Sequence, residues 1–430
     1  MSRGSLLIKG GRLVDPSLAL DAVRDVRIVG GIVYAIGEDL AVRDDEPVFD
    51  ATGAVVAPGF IDMHVHLREP GFTEKETIAS GTRAAVRGGF TAVACMPNTR
   101  PPLDDPAAVE GVLRRAASDA ACSVYPVAAI TRGRAGMEPC DFGALAHAGA
   151  VAFSDDGDSV ADPSVLRAAA LAARDVEGVF ISHCEDAGLK GDGVMTEGQT
   201  SHELGLAGSP ALAEDVVVAR DLLIAGETGK AWHVAHISTR IAVDLVRQAR
   251  ARGVVATCEV TPHHLNLTAD SVRELGSRAK VNPPLRTQDD VRALREAVRD
   301  GTVDAFASDH APHTAAEKSA EIDGAAVGFT GLEVAVGAYA LALPDLPALR
   351  FVELLSVNPA RILKVEGGTL AVGSRADVTI FADRPWVVDP ARFASKGRAT
   401  PFEGRTLPRC VLATVVAGTL AFDARTEVTA

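Results

Sequence analysis

Apolar residues recur through the middle of the chain in short runs, separated by polar loops and Ala-rich segments. Eight such runs are AVVAPGFID, FTAVACM, SVYPVAA, GAVAFS, GVFIS, AWHVAH, VVATCEV and VDAFAS. The segments between them, such as TIASGTRAAVRGG and STRIAVDLVRQARARG, have helical spacing, and several end in glycine as helix C-caps do. Strands alternating with helices predict a parallel sheet, and eight units over about 300 residues predict a (β/α)8 TIM-like barrel. A doubly wound open sheet is the structural alternative, but no dinucleotide-binding glycine motif follows the first run.

The two ends of the chain carry a different pattern. The N-terminal stretch alternates apolar and polar positions around Gly-Gly pairs at 10–11 and 30–31, which is typical of strands joined by hairpin turns. Further strand-like stretches near the C-terminus are GTLAVGSRADVTIFA and RCVLATVVAGTLAFD. We therefore predict an α/β fold in which residues 1–57 and 365–430 pair into a small β-sandwich domain, with the barrel, 58–364, inserted between them.

Composition and charge restrict the class of protein. The chain has 430 residues, more than one ordinary core holds, and its 47% apolar and 23% charged residues are typical of globular proteins. A formal net charge of −14 argues against general nucleic-acid binding, which needs clustered cations. No stretch resembles a signal peptide or a membrane span, and the six cysteines form no Cys-x-x-Cys pair. We expect a cytoplasmic protein with reduced thiols that binds neither nucleic acid nor membranes.

Potential metal ligands fall at the ends of the predicted barrel strands, which form the active-site face of such a fold. They are His64, His66, Asp155, Asp156, His183, His236 and Asp309, with Asn98 following the second run. A lone histidine is more often a core or surface residue, but four histidines together with carboxylates at strand ends indicate a metal site. Imidazole and carboxylate without thiolate suit Zn²⁺, and the number of ligands is sufficient for two ions that share one ligand. These residues predict a binuclear metallohydrolase.

These motifs, taken in order, resemble those of a known family. The strings DMHVHLREPG, MPNT, FSDDG, HISTR, NPPLR and SDHAPH are similar to those of class I bacterial dihydroorotases in the amidohydrolase superfamily. The resemblance extends to GTLAVGSRADVTIF and so covers essentially the whole chain. It implies a barrel with a flanking β-sandwich. It also implies reversible ring closure of N-carbamoyl-L-aspartate to (S)-dihydroorotate in de novo pyrimidine (UMP) biosynthesis.

The resemblance further implies the roles of the metal ligands. It would assign one zinc ion to His64, His66 and Asp309 and a second to His183 and His236, with Asp156 and a hydroxide bridging the two. Many relatives use a carboxylated lysine as the bridge, but no lysine lies between Lys75 and Lys190. The residues alone leave Asp155 and Asp156 equivalent as the bridge, and the resemblance favours Asp156. Asp309 would also be the catalytic base and then acid.

Substrate contacts are implied by the same resemblance. Arg68 lies two residues past His66, where a guanidinium can bind a carboxylate through two hydrogen bonds. Allantoinase-like relatives carry asparagine near this position, so Arg68 indicates an acidic substrate. The other contacts would be His66, Asn98, Asn282, His313 and the backbone around Val327 and Gly328. Relatives usually have a larger aromatic residue before that glycine, and this chain departs from the pattern there.

Two alternative functions remain open at this point. A hydantoinase-like or allantoinase-like enzyme would act on another cyclic amide, but Arg68 and the absent bridging lysine argue against it. A non-catalytic scaffold for aspartate transcarbamoylase would have lost metal ligands, and this chain retains every ligand that the resemblance implies. The expected partners are the small-molecule substrate, aspartate transcarbamoylase and further copies of the same chain.

Overall fold

The computed structural model describes residues 4–427. Its strands are β1 (Ser5–Asp15), β2 (Leu20–Val29), β3 (Ile32–Gly37), β4 (Val48–Asp50), β5 (Val55–Pro58), β6 (Phe60–Val65), β7 (Phe90–Cys95), β8 (Ser123–Ala128), β9 (Ala152–Phe153), β10 (Val179–Ser182), β11 (Met195–Thr196), β12 (Gly208–Ser209), β13 (Trp232–Val234), β14 (Ala256–Val260), β15 (Ala305–Phe306), β16 (Val378–Ala382), β17 (Trp386–Val387), β18 (Thr406–Leu407), β19 (Cys410–Val416) and β20 (Thr419–Asp423). Its α-helices are α1 (Ile78–Arg87), α2 (Pro106–Asp119), α3 (Phe142–His147), α4 (Pro163–Ala172), α5 (Ala187–Lys190), α6 (Gln199–Leu204), α7 (Leu212–Thr228), α8 (Arg240–Ala251), α9 (Pro262–Asn266), α10 (Val272–Leu275), α11 (Gln288–Arg299), α12 (Ala315–Lys318), α13 (Ala335–Ala342), α14 (Ala348–Val352), α15 (Asn358–Leu363) and α16 (Ala424–Glu427).

Eight parallel strands form a barrel in the middle of the chain. Their order is β6, β7, β8, β9, β10, β13, β14 and β15, and each pairs in parallel with its neighbours. An isolated parallel bridge between Val65 and His310 brings the two ends of the series together. This order is that of the eight apolar runs in the sequence. The barrel prediction is therefore confirmed, and the doubly wound open sheet is excluded.

The helices outside the barrel follow from local sequence, and α8 shows how. The side chain of Thr239 accepts a hydrogen bond from the backbone N–H of Ala242 and so caps the start of the helix. The buried residues of α8 lie on one face at helical spacing and are Ala242, Val243, Val246 and Ala249. None of the described helices has the length and the apolar content needed to cross a membrane.

A mixed sheet built from both ends of the chain forms the β-sandwich domain. Its strands lie in the order β20, β19, β16, β5, β1, β2 and β3, and β4 pairs with β1. Strand β5 pairs in parallel with N-terminal β1 on one side and antiparallel with C-terminal β16 on the other. The two ends therefore share one hydrophobic core, which includes Ile8 and Val26 from the first and Val378 and Val415 from the second. The domain boundaries at 57 and 365 stay a prediction.

The two glycine pairs near the N-terminus have different structures. Gly30 and Gly31 both have positive φ, 62° and 87°, and form the expected tight turn between β2 and β3. The hairpin prediction is wrong for Gly10 and Gly11, because β1 runs through them as one strand. Its register against β2 shifts at this point, and the pair forms an irregularity of the β-bulge type.

The first apolar run is divided between the two domains. The sequence predicts one strand over AVVAPGFID, but the structure has β5 in the sandwich sheet and β6 in the barrel, with Gly59 between them. A Cβ at Gly59 would lie 2.1 Å from Oγ1 of Thr91, so only glycine fits where the chain passes from one sheet to the other. The strand that carries the first histidines thus begins directly at the domain junction.

Tyr339 on α13 offers a test of how the barrel is held together. Its fully buried hydroxyl lies 3.0 Å from the carbonyl oxygen of Val260 and 2.7 Å from that of Ala307, at the ends of adjacent strands. We expect Tyr339→Phe to lower the free energy of unfolding by about 1–2 kcal/mol, because one buried carbonyl loses its donor. Denaturant unfolding measures it. The control Tyr34→Phe, at a side chain that is 55% exposed, should change stability by less than about 0.5 kcal/mol. Equal effects of the two changes would contradict the expectation.

Candidate active site

Side chains from four barrel strand ends converge on one carboxylate. Two groups of ligand atoms, each with all atoms within 4.8 Å of one another, could hold a metal ion: His64, His66 and Asp156, and Asp156, His183 and His236. Asp156 belongs to both groups. Its Oδ1 lies 3.2 Å from Nε2 of His64 and 3.6 Å from ring nitrogens of His183 and His236, while its Oδ2 lies 3.5 Å from Nε2 of His66. The structure thus brings together five of the six predicted metal ligands around a shared carboxylate.

The unsatisfied polar atoms of this cluster fit a bound metal. In the part of the chain that the structure describes, Nε2 of His64 and Oδ1 of Asp156 face the centre of the cluster, are buried and have no hydrogen-bond partner. Buried polar atoms without partners are rare in folded proteins, because each loses the hydrogen bonds it made in water. The imidazole and carboxylate atoms at the centre of the cluster are lone-pair donors that a divalent cation would satisfy.

Electrostatics within the cluster support the same interpretation. Burial by itself would lower the pKa of His64, but the carboxylates of Asp156 and Glu259 outweigh it and raise that pKa well above its usual value. Burial likewise opposes the shift at His183, yet Asp156 and Glu185 raise its pKa to about 9. Asp156 shows the reverse, since its histidine neighbours overcome burial and hold its pKa well below normal. The carboxylates therefore favour positive charge at the centre of the cluster, which a bound cation would supply.

The two aspartates of the fourth strand end have separate environments. Asp155 Oδ1 accepts hydrogen bonds from the backbone N–H groups of Ile130 and Thr131, at 2.8 and 3.0 Å, and its Oδ2 accepts from the Thr131 hydroxyl. Asp155 thus ties the fourth strand end to the loop after the third strand. Asp156 points instead into the histidine cluster.

Asp309 lies at the edge of the cluster. Its Oδ1 is 3.2 Å from Nε2 of His66 and 3.8 Å from Nε2 of His64. Burial raises the pKa of Asp309, but His66 and His64 outweigh it and hold that pKa below normal, so the carboxyl is ionised. An ionised carboxylate beside the predicted metal ligands can accept a proton.

Three residues of this region have left-handed backbone conformations that non-glycine residues rarely adopt. The φ angles are 59° at Arg68, 32° at His236 and 46° at Asp309. Such conformations each raise the energy by about 1–3 kcal/mol and persist where the surrounding structure determines them. Strain of this kind concentrates at functional sites, and here it falls on a predicted substrate contact and two predicted metal ligands.

Carboxylates behind the histidines were not identified from sequence. Glu259 lies 2.8 Å from Nδ1 of His64 and 3.1 Å from Nε2 of His233, and it is fully buried. Glu185 lies 3.0 Å from Nε2 of His183. A carboxylate on the far nitrogen fixes the tautomer and the orientation of a metal-binding imidazole. The available signal for Glu259 was its position as the only charged residue in the apolar run VVATCEV.

Predicted substrate contacts flank one side of the cluster. Nη2 of Arg68 lies 3.2 Å from Nε2 of His313, and the same nitrogen of His313 lies 2.8 Å from the carbonyl oxygen of Val327. Asn98 Oδ1 is 2.8 Å from Nδ1 of His66, which leaves the Asn98 amide nitrogen available to a ligand. Burial, with the charges of Arg68 and Lys75, lowers the pKa of His313 well below its usual value, so its ring is neutral.

The remaining predicted contacts lie on other segments. Asn282, with its amide oriented to satisfy its neighbours, accepts a hydrogen bond from Nζ of Lys190. Lys190 also lies 2.9 Å from Glu185, so Asn282 is connected to the carboxylate behind His183. The backbone N–H of Gly328 donates to the carbonyl of Lys280 at 3.0 Å, and the side chain of Val327 is 36% exposed.

Comparison with known proteins defines the family. The chain matches the Dihydro-orotase-like family over residues 53–242 and the Amidohydrolase family over residues 196–422. It is 50% identical over 424 residues, 98% of this chain and 99% of the relative, to a protein of Pelotomaculum thermopropionicum named dihydroorotase. The chain belongs to the dihydroorotase family. A second dihydroorotase, from Anaeromyxobacter dehalogenans strain 2CP-1, is 49% identical over 97% of this chain and 98% of its own length.

Solved structures with similar folds extend beyond the dihydroorotase family. The L-hydantoinase (dihydropyrimidinase) of Arthrobacter aurescens has a TM-score of 0.86 and 25% identity and covers 96% of this chain and 95% of its own. A D-hydantoinase from Thermus sp. has a TM-score of 0.82 at 24% identity, with coverage of 97% and 95%, which shows a shared fold. The fold of this chain, over nearly its whole length, is therefore shared with these solved structures.

The carboxylate of Glu259 should be required for tight metal binding. We expect Glu259→Gln to weaken metal affinity about 10–100-fold, because His64 loses the negative partner that orients its ring. Metal content after dialysis against a graded series of chelator concentrations measures this. Glu177→Gln, at a side chain that is 84% exposed, is the matched control and should retain the wild-type metal content. Wild-type metal retention by Glu259→Gln would contradict the role.

Proposed function

We propose that this member of the dihydroorotase family catalyses the reversible interconversion of (S)-dihydroorotate and N-carbamoyl-L-aspartate, a step of de novo pyrimidine biosynthesis. The observation that carries the proposal is the position of Arg68 beside the buried His/Asp cluster. One guanidinium and one free amide, from Asn98, lie near a cluster suited to a metal. A cyclic amide with a carboxylate substituent matches this site, because its carboxylate can bind Arg68 and Asn98 while its amide faces the His/Asp cluster.

The proposed cofactor is two zinc ions per chain. The first would be held by His64, His66 and Asp309 and the second by His183 and His236, with Asp156 shared between them. This assignment is supported by the two ligand groups that meet at Asp156 and by the absence of thiolate among their members. Bound there, the ions would polarise the amide carbonyl and lower the pKa of water toward about 7.

The side chains of the chain itself would orient the substrate and move a proton. Arg68 would bind the substrate carboxylate through two hydrogen bonds, with Asn98 and His313 completing the contact. In hydrolysis, water adds to the ring carbonyl carbon and the carbon–nitrogen bond breaks. Asp309 would accept a proton from the attacking water and deliver it to the leaving nitrogen. Ring closure would follow the same steps in reverse.

Further substrate contacts are proposed at His66, Asn282 and the backbone of Val327 and Gly328. Asn282 is supported by its connection through Lys190 and Glu185 to the histidine cluster. The exposed Val327 would leave more space over the substrate ring than a large aromatic residue. These contacts would fix the ring so that its amide faces the metal ligands.

Assembly and location are also proposed. An apolar stripe on the outer face of α7 consists of Leu212, Val216 and Leu223, which are 52%, 37% and 64% exposed. We propose that the chain forms a homo-oligomer and binds aspartate transcarbamoylase, and the stripe is a surface available for either contact. The six free cysteines agree with a cytoplasmic location.

Turnover of dihydroorotate with a parallel metal assay tests the proposed function. We expect the purified chain to hydrolyse dihydroorotate, followed through loss of ring absorbance, and to carry about two metals per chain. Asp309→Asn should bind metal yet lose turnover in both directions, since it lacks the proton carrier. Turnover of hydantoin or dihydrouracil in place of dihydroorotate would support another cyclic amide. A chain with neither metal nor turnover would be a scaffold.

Arg68→Ala tests the acidic-substrate assignment. Removing the guanidinium should weaken substrate binding by about 2–5 kcal/mol, which raises KM for dihydroorotate at least about thirtyfold. Metal content should stay at the wild-type level. Arg167→Ala, which breaks an exposed pair with Glu227, is the control and should leave KM unchanged. An unchanged KM in Arg68→Ala would refute the carboxylate contact.

A further inference from the structure

A buried carboxylate–imidazole pair lies directly behind the proposed catalytic loop. Glu76 and His310 are both 0% exposed, and Oε2 of Glu76 lies 3.3 Å from Nε2 of His310. His310 follows Asp309 in the chain. Neither member of the pair is a metal ligand or a substrate contact in the proposed function. Burying a charged group has a large desolvation cost in free energy, so the contacts that this pair makes indicate its role.

His310 joins three segments that carry the site. Its Nδ1 accepts from the backbone N–H of Gly331 at 3.2 Å, which leaves Nε2 as the donor to Glu76. Its carbonyl oxygen accepts from the N–H of His66 at 2.8 Å. One residue therefore ties together the strand end with the first metal ligands, the loop of Asp309 and the segment after Gly328.

Glu76 connects His310 to two further segments of the chain. Its Oε1 accepts from the hydroxyl of Ser80 and from the N–H of Lys396 at 3.2 Å, and its Oε2 accepts from the hydroxyl of Ser395. Burial raises the pKa of Glu76, but His310 and the serines outweigh it and hold that pKa below normal, so the group is an anion. The anion thus connects α1 and a segment beyond the barrel to His310.

The segment beyond the barrel fits closely against the site loops. A Cβ at Gly397 would lie 2.4 Å from Oγ1 of Thr330 and 2.8 Å from Cβ of Pro312. The N–H of Thr330 donates to the carbonyl of Ala399 at 2.8 Å. Contacts this close leave the loops at 310–313 and 327–331 little room to move once Glu76 holds Ser395 in place.

We propose that Glu76, acting through His310, is a positioning residue that keeps Asp309 in place for proton transfer. Asp309 has a left-handed backbone, with φ of 46°, which a free loop would not retain. Its neighbour His310 has contacts with Gly331, His66 and Glu76, and only the contact with Glu76 involves a charged group. The proposal rests on the proposed function, since it assigns Asp309 as the proton carrier.

The test is the kinetics of Glu76→Gln against a matched control. We expect kcat for dihydroorotate to fall about 10–100-fold, because small displacements of a reacting group reduce rates by this order. KM should stay within about threefold of wild type and metal content should be unchanged, which a general loss of folding would not produce. Glu46→Gln removes another buried carboxylate, bound by Arg27 and Ser5 in the sandwich domain, and should keep the wild-type kcat.

A double variant tests whether Glu76 acts through His310. His310→Asn keeps an acceptor near the position of Nδ1 for Gly331 but loses the contact with Glu76. The double variant Glu76→Gln with His310→Asn should have the kcat of His310→Asn alone, since both changes remove the same contact. A loss in kcat equal to the product of the two single losses would show independent action and overturn the proposal. If Glu76→Gln does not fold, the kcat and metal content of His310→Asn decide by the same criteria.

The outcomes separate this inference from the function on which it rests. A wild-type chain without dihydroorotate turnover removes the proposed function, and the positioning role with it. Wild-type turnover together with an unchanged kcat in Glu76→Gln leaves the function intact and overturns the positioning role alone. A fall in kcat with equal loss of metal would assign Glu76 to metal retention and would also overturn the proposal.

Discussion

The burial of one carboxylate among four imidazoles is the constraint on which the site depends. Asp156 is 2% exposed and lies 3.2–3.6 Å from ring nitrogens of His64, His66, His183 and His236. A carboxylate taken out of water loses strong hydration, and only closely placed positive or donor groups compensate for it. The four strand ends that carry these residues must therefore be placed with a precision much finer than the distances between Asp156 and the ring nitrogens. The barrel provides that alignment, because its six inner strands each pair with two neighbours and the bridge between Val65 and His310 joins its ends.

The energy needed to hold the site is distributed over the scaffold. Arg68, His236 and Asp309 keep left-handed backbones only because their neighbours leave no alternative. Buried carboxylates at Glu259, Glu185 and Glu76 each hold a histidine next to this region. Stability gained in apolar clusters of the barrel and the sandwich thus offsets local strain where the chemistry is proposed.

Much of this architecture could be predicted from sequence, for identifiable reasons. Each barrel strand is an apolar run bounded by a helix with its own cap, so the repeated unit is visible locally. The predicted metal ligands follow those runs directly, and this predicted that they would lie on one face. The division of the first run at Gly59 could not be predicted, because both halves are equally apolar and only the approach of Thr91 separates them. The Gly10–Gly11 pair could not be assigned either, because the same two residues fit a hairpin turn or a β-bulge. Only the pairing of β1 with β2 decides between these structures.

Contacts between distant segments account for what local patterns miss. Glu259 and His64 are 195 residues apart, and Ser395 and Glu76 are 319 apart. No periodicity connects such positions, and their pairing follows only from the folding of the barrel and of the segment that packs against it. The choice between Asp155 and Asp156 is a similar case, because the two residues differ only in what surrounds them after folding. Sequence therefore predicted the residues that gather in the cluster but not the carboxylates that lie behind its histidines.

The sharing of one sheet by both chain ends has a consequence for biosynthesis of the protein. Strand β5 lies between β1 and β16, so the sheet remains open along that edge until the last strands have been made. The barrel is complete at about residue 310, whereas β19 and β20 span Cys410–Asp423. During synthesis on the ribosome, the edge of β5 that pairs with β16 therefore stays unpaired until the entire barrel has been made. A translation product that ended after the barrel would have all eight barrel strands but an unpaired sheet edge. Such an edge is prone to aggregation and is a target for chaperones and proteases.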